Sequence, residues 1–123
     1  MADLVERQLK ESKTIAVVGL SPNSDRDSNR VALYLQRVGY RVIPVNPMVE
    51  EVLGEKSYPD LKSIPEDIDI DMVDVFRRSE LVEPVVDEAI ELGVKFIWMQ
   101  DGVIHDESAK KAEEAGIPVI MDN

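Results

Sequence analysis

Short apolar runs alternate with amphipathic segments along this chain. The run TIAVVG, residues 14–19, is too short and too rich in β-branched side chains for a helix and ends at glycine, which predicts a buried strand. A turn-rich stretch, LSPNSDRDSN, follows. In RVALYLQRV beyond it, Val31, Leu35 and Val38 fall at i, i+4 and i+7 with Ala32 beside them, so one helix face is apolar, and Asp27 or Ser28 is expected to cap that helix. Three times a helical pattern stops at glycine and a strand-like run begins about two residues later: Gly39 before YRVIPVNP, Gly93 before VKFIWM, and Gly116 before IPVIM. Glycine ends helices readily, so the recurrence marks a repeated αβ junction. Strands are predicted near residues 14–19, 41–45, 72–76, 96–99 and 118–121, with a brief extended piece near Ser57 and Tyr58. A leading helix is predicted within residues 1–12, over Asp3 to Glu11, with Leu4, Val5 and Leu9 inward. Pro84 lies about one turn inside a helix opening near Ser79, which predicts an irregular first turn.

Helices alternating with short buried strands imply a mostly parallel sheet with right-handed crossovers. The predicted class is α/β, a three-layer, doubly wound parallel sheet of about five strands. A length of 123 residues suits a single domain, and 44% hydrophobic with 32% charged residues is ordinary for a globular protein. With no cysteine, the 123 residues offer no disulfide, thiolate nucleophile or Cys-type zinc site, and one histidine makes a His-rich metal site untenable. The apolar runs are too short to span a membrane and MADLVERQLKESK lacks the apolar core of a signal peptide, so the expected location is cytoplasmic.

The formal charge of −11 argues against a nucleic acid or an anionic membrane as partner. It is unevenly spread. Residues 1–47 hold seven basic and five acidic side chains, a balance of +2, while residues 48–123 hold seven and twenty, a balance of −13. A mildly basic first third leaves room for a small anionic ligand.

In an open parallel sheet the ligand crevice lies beyond the carboxyl ends of the strands, where the strand order reverses. For an order 3-2-1-4-5 that point falls between the strand ending at Gly19 and the one ending at Phe76. Ser21, Arg26 and Arg30 follow the first of these, and Arg77 and Arg78 follow the second, so four arginines converge beside a helix N-terminus that favours phosphate. The competing reading pairs Arg26 and Arg30 with Asp25 and Asp27 and leaves Arg77 and Arg78 in solvent. Residues 19–24, GLSPNS, contain one glycine and so lack the G-x-G-x-x-G dinucleotide fingerprint, and no P-loop is present. Asn46-Pro47 stands where an NAD site wants a carboxylate for ribose, and a neutral amide there suits an adenosine cofactor bearing an extra phosphate.

TIAVVGLSPNSDRDSNRVALYLQRVGYRVIPVNP, LGEKSYPDLKSIP, DMVDVFRR, WMQDGV and AGIPVIMD, taken in order, resemble the stand-alone CoA-binding protein family. Its single domain is similar to the CoA-binding domain of the succinyl-CoA synthetase α subunit and of ADP-forming acyl-CoA synthetases. The resemblance runs from about Thr14 to Asp122. It implies a Rossmann-like fold that binds coenzyme A, or an acyl-CoA, as a carrier, sensor or partner subunit without catalysis. The contacts it implies are Gly19 and Ser21 in the first loop, Arg26 and Arg30 for phosphates, Asn46 and Pro47 after the second strand, Phe76 and Arg77 after the fourth, and Gln100 with Gly102 after the fifth. A second copy of the chain or an acyl-CoA enzyme is the implied protein partner. Family members usually continue past the position of Asp122 with an Arg-Cys pair and a short tail, where this sequence has Asn123. The phosphohistidine domain of the synthetases has no counterpart in these residues, so ligase chemistry is not implied.

Other residues invite chemistry but read more simply as structure. His105, the one histidine, is expected in an exposed turn, with Asp106 as a helix cap. Asp74 interrupts the apolar strand MVDVF and must find partners or hold a proton, so a structural bond to backbone or to an arginine is expected. Phe96, Trp98 and Met99 read as core, and the pairs Asp87/Glu88 and Glu113/Glu114 as solvated helix faces. The alternative functions are an NAD(P)-binding oxidoreductase and a receiver-like interaction domain; the first lacks the glycine fingerprint and the second an acidic cluster after the first strand.

Overall fold

The apolar runs pair side by side because each is flanked by a helix that carries the chain back to the same end of the sheet. A computed structural model describes residues 2–123. In chain order the elements are α1 (Ala2–Glu11), β1 (Thr14–Val18), α2 (Asp27–Arg37), β2 (Arg41–Val45), β3 (Glu51–Val52), β4 (Glu55–Lys56), β5 (Met72–Val75), α3 (Val82–Leu92), β6 (Phe96–Met99), α4 (Asp106–Glu114) and β7 (Val119–Ile120). Five strands form one parallel sheet in the order β2-β1-β5-β6-β7. Tyr58 adds a parallel bridge to Val45 on the outer side of β2, so the extended piece takes the third place in the expected order.

Period-2 alternation divides the core in two. Ile15, Val17, Met72 and Phe96 pack with Ala32 and Leu35 of α2 on one face. Ala16, Val18, Val73, Val75, Ile97 and Met99 pack with Val86 and Ala89 of α3 and with Ala109 and Ala112 of α4 on the other. These are the three layers of a doubly wound Rossmann-like fold. The stop at Gly93 is left-handed, with φ +68°, as the junction pattern predicts. A 3-10 turn over Ser79–Leu81 leads into α3, which leaves Pro84 within the first turn of regular helix.

Several expectations need correction. The leading helix is present, though Met1 lies outside the described residues; Gln8 is fully buried, its Nε2 donating to Pro118 O (3.4 Å), while Leu4, Val5 and Leu9 are half-buried. Neither Asp27 nor Ser28 caps α2, because the N-cap position is Arg26 and both side chains bind elsewhere. Asp106 likewise opens α4 without capping it; His105 does that, its Nδ1 accepting from Ser108 N (3.2 Å). Asp87 and Glu88 do more than face water. Lys111 donates to Asp87 (2.8 Å), tying α4 to α3, and Glu88 is half-buried. The β3–β4 hairpin was unforeseen: it turns through Leu53 and Gly54, both at positive φ, and leucine at such a position carries no turn signal. Among the described residues no helix is long and apolar enough to cross a membrane.

Candidate functional site

The carboxyl ends of β1 and β5 approach each other through backbone alone. Gly19, at φ +87°, leaves β1 with its N–H donating to Val45 O (2.8 Å), and Phe76 N donates to Val18 O (2.8 Å). A Cβ on Gly19 would lie 2.1 Å from Phe76 O, so only glycine allows the two exits to come so close. Above that contact opens a crevice of about 850 Å³, bounded by the β1–α2 loop, the first turn of α2, the Phe76–Arg78 segment and the loop after β6. It occupies the switch point between β1 and β5, where a doubly wound sheet binds ligands.

Short polar side chains hold the first wall. Ser21 N donates to Ser28 Oγ (3.0 Å), and Asn29 Nδ2 donates to Ser21 O (2.9 Å), so two buried residues of α2 clamp the loop. Asn23 N donates to Ser21 Oγ (3.1 Å) and Asp25 N to Asn23 Oδ1 (2.9 Å). With Ser28 spent on the loop, the α2 N-terminus has no side-chain cap; Asn29 N turns back to Arg26 O (3.1 Å), and the amides of Asp27 and Ser28 stay open to an acceptor. Sequence reasoning missed this clamp. Its signal is Ser28 and Asn29 in the first turn of α2, of which the sequence reading uses Ser28 alone, as a cap.

The arginines divide into two kinds. Arg30 pairs with Asp27 and Arg78 with Glu80 (3.6 Å), so the competing reading holds for part of the set. Arg26 and Arg77 form no ion pair among the described residues, and both line the crevice. Asp25, Asp27 and Asp101 line it too, which leaves the lining only slightly basic; the two unpaired guanidiniums are its distinguishing charge.

Behind the lining residue Gln100 lies Asp74, 3% exposed, on the α2 face of the sheet and in register with Val17 and Trp98. Gln100 Nε2 donates to Asp74 Oδ1 (2.5 Å), in place of the backbone or arginine partner expected for it. Burial pushes the Asp74 carboxyl up to about 7, against a smaller opposing pull from the Gln100 amide. The remaining tempting residues stay structural: Phe96 and Met99 are buried, Trp98 Nε1 donates to Asn123 O (3.2 Å), and His105 lies outside the crevice lining.

Eight of the ten expected contacts line this one crevice: Gly19, Ser21, Arg26, Arg30, Phe76, Arg77, Gln100 and Gly102. Asn46 and Pro47 do not. They border a neighbouring hollow of about 650 Å³ beside the hairpin, and both ends of the Asn46 amide are committed, Nδ2 to Leu20 O (2.9 Å) and Oδ1 to Met48 N (2.9 Å). Asn46 thus joins the β1 and β2 exits. A further cavity of about 740 Å³ sits at the opposite end of the sheet, where Lys62 and Lys95 are already paired with Glu91 (2.9 Å) and Asp71 (3.5 Å).

The sequence pattern of the CoA binding domain family matches residues 13–123. The chain belongs to that family. The uncharacterized protein YneT of Bacillus subtilis (strain 168) is 44% identical over 118 residues, which cover 96% of this chain and 86% of YneT. A hypothetical protein from Pyrococcus horikoshii OT3 superposes with a TM-score of 0.94 at 41% identity, covering all of this chain and 85% of that one. Acetate–CoA ligase [ADP-forming] I of Archaeoglobus fulgidus is 28% identical over 121 residues, covering 90% of this chain but 17% of the ligase. This CoA binding domain therefore matches both a small stand-alone relative and about a sixth of a much longer ligase.

Proposed function

We propose that the crevice binds coenzyme A or an acyl-CoA, with the phosphates at Arg26, Arg77 and the open α2 N-terminus. The observation that carries the reading is the convergence of two unpaired arginines and an uncapped helix start on one crevice at the switch point, in a chain of the CoA binding domain family. Coenzyme A is an adenosine nucleotide with a 3′-phosphate and a diphosphate, an anion that matches exposed Arg26 and half-buried Arg77. Ser21, Arg30, Phe76 and Gly102 would shape the walls. Asn46 and Pro47 would act at one remove, by holding the β1 and β2 exits together. In this reading the chain is a carrier, sensor or partner subunit for an acyl-CoA enzyme or for a second copy of itself, and performs no bond-making step.

A hundredfold excess of CoA over its Kd is expected to stabilise the protein by about 2.7 kcal/mol, a rise in Tm of roughly 10 °C. No change at saturating CoA, with a clear response to NADPH, would overturn the reading in favour of a nicotinamide nucleotide. Arg77→Ala is expected to weaken CoA binding by roughly 10- to 100-fold, since a charge-assisted hydrogen bond contributes about 1.5–3 kcal/mol. Arg26→Ala should move it in the same direction, and both variants should flatten the salt dependence of Kd measured by calorimetry. Binding that is as tight and as salt-sensitive in both variants would remove the phosphates from this end of the crevice.

A further inference from the structure

The register of β5 and β6 puts a carboxylate directly behind a crevice side chain. Asp74 pairs with Trp98, and Gln100, two residues further along, returns to the same face of the sheet and leans back over Asp74. A carboxylate only accepts hydrogen bonds, so the end of the Gln100 amide that meets it must be Nε2. The carbonyl end, Oε1, takes no hydrogen bond from the protein among the described residues, and Gln100 lines the crevice. We propose that Asp74 is a positioning residue for the ligand site: by holding the Nε2 end of Gln100, it turns the Oε1 end into the crevice as an acceptor for an N–H group of the bound nucleotide. The inference rests on the CoA-binding reading above. Coenzyme A has such N–H groups in two places, the exocyclic amine of adenine and the amides of the pantetheine arm.

The arrangement is reversible in principle. A protonated Asp74 can donate, and would then draw Oε1 towards itself and turn the N–H end of the amide outward. The groups around it leave this proton to burial and Gln100. Val17 of β1 and Trp98 of β6 do not titrate, and the buried Ser28 and Asn29 of α2 are neutral. The charged groups on the same side are Arg7 over the Phe96 ring, Asp25, Arg26, Asp27 and Arg30 around the start of α2, Arg77 and Arg78 after β5, and Asp101 after Gln100. Burial raises the proton affinity of Asp74, and the Gln100 bond opposes it.

The test is the CoA affinity of the wild-type chain and of Asp74→Asn, measured by calorimetry from pH 5.5 to 8.5. The ligand's own phosphate titrates near pH 6, so the ratio of the two affinities is the readout, because both proteins meet the same ligand. The expected ratio is about tenfold in favour of wild type at pH 8.5, the worth of about one hydrogen bond, falling to near one at pH 5.5. Gln100→Leu should lose the same factor at pH 8.5, and should abolish the difference between Asp and Asn at position 74; it keeps the question answerable if Asp74→Asn fails to fold. Repeating the series with adenosine 3′,5′-bisphosphate assigns the N–H group: the same ratio points to adenine, and loss of the ratio points to the pantetheine arm. Tight CoA binding with a ratio constant in pH overturns the positioning role alone and leaves a structural one. Absence of CoA binding at every pH overturns the functional reading and this inference with it.

Discussion

Gly19→Ala is expected to destabilise the protein by about 3 kcal/mol or more, since a strained positive φ alone costs about 1–3 kcal/mol and a backbone clash is added to it. The new Cβ would stand 2.1 Å from Phe76 O, and neither atom can move without pulling the β1 exit from the β5 exit. The bonds at risk are Gly19 N to Val45 O and Phe76 N to Val18 O, each 2.8 Å. Gly54→Ala is the control. Gly54 has a similar φ, +79°, but nothing lies within 4 Å of a Cβ there, so only the conformational cost remains, about 1 kcal/mol. Urea unfolding of the two variants separates the terms. Equal losses would mean that the close approach of the two strand exits is not what demands glycine at position 19.

The second large effect is on stability as a function of pH. The folded Asp74 carboxyl titrates at about 7, above the ordinary value of 3.8 it regains on unfolding, so the folded state holds one more proton between those limits. The stability this proton provides is fully present below pH 4 and is lost as pH rises to 7, by about 1.4 kcal/mol per unit and about 4 kcal/mol in all. Many other carboxylates titrate in this range, so the measurement is the difference in unfolding free energy between Asp74→Asn and wild type. It should grow in favour of the variant from pH 4 to pH 7 and stay level above. A difference that does not change with pH would show that Asp74 is solvated and ionised in the fold at all these pH values.

Much of this was legible along the chain, for identifiable reasons. The strand runs at 41–45 and 96–99 match the observed strands residue for residue, because a buried parallel strand is apolar on both faces and a helix stop at Gly39 or Gly93 brackets its start. The crevice was legible because strand order fixes where the sheet opens, and Arg26, Arg30, Arg77 and Arg78 stand at the two exits flanking that point. What escaped depends on direction. Ser28 looks like a helix cap in a linear reading, but its hydroxyl faces the loop and accepts from Ser21 N; Asn46 looks like a ribose contact, but both ends of its amide are held by backbone groups. The partner of Asp74 escaped for the same reason, since a pairing between residues 74 and 100 exists only once β5 and β6 are in register. Gln8 shows the limit of hydropathy: a polar side chain of α1 is fully buried, with Nε2 donating to Pro118 O and Oε1 finding no partner among the described residues.

Pro44 has a consequence beyond the strand it occupies. Along a parallel strand a residue's N–H and C=O point to the same side, and Pro44 O accepts from Tyr58 N on the outer side of β2, so the N–H that proline lacks would have faced outward as well. The opposite margin of the sheet is β7, two residues long, with Pro118 before it. Neither border offers a long ladder of free amides to a strand from another molecule, which is how natural sheets avoid templating fibres. The sheet thus leaves its open end free of strand pairing at either side.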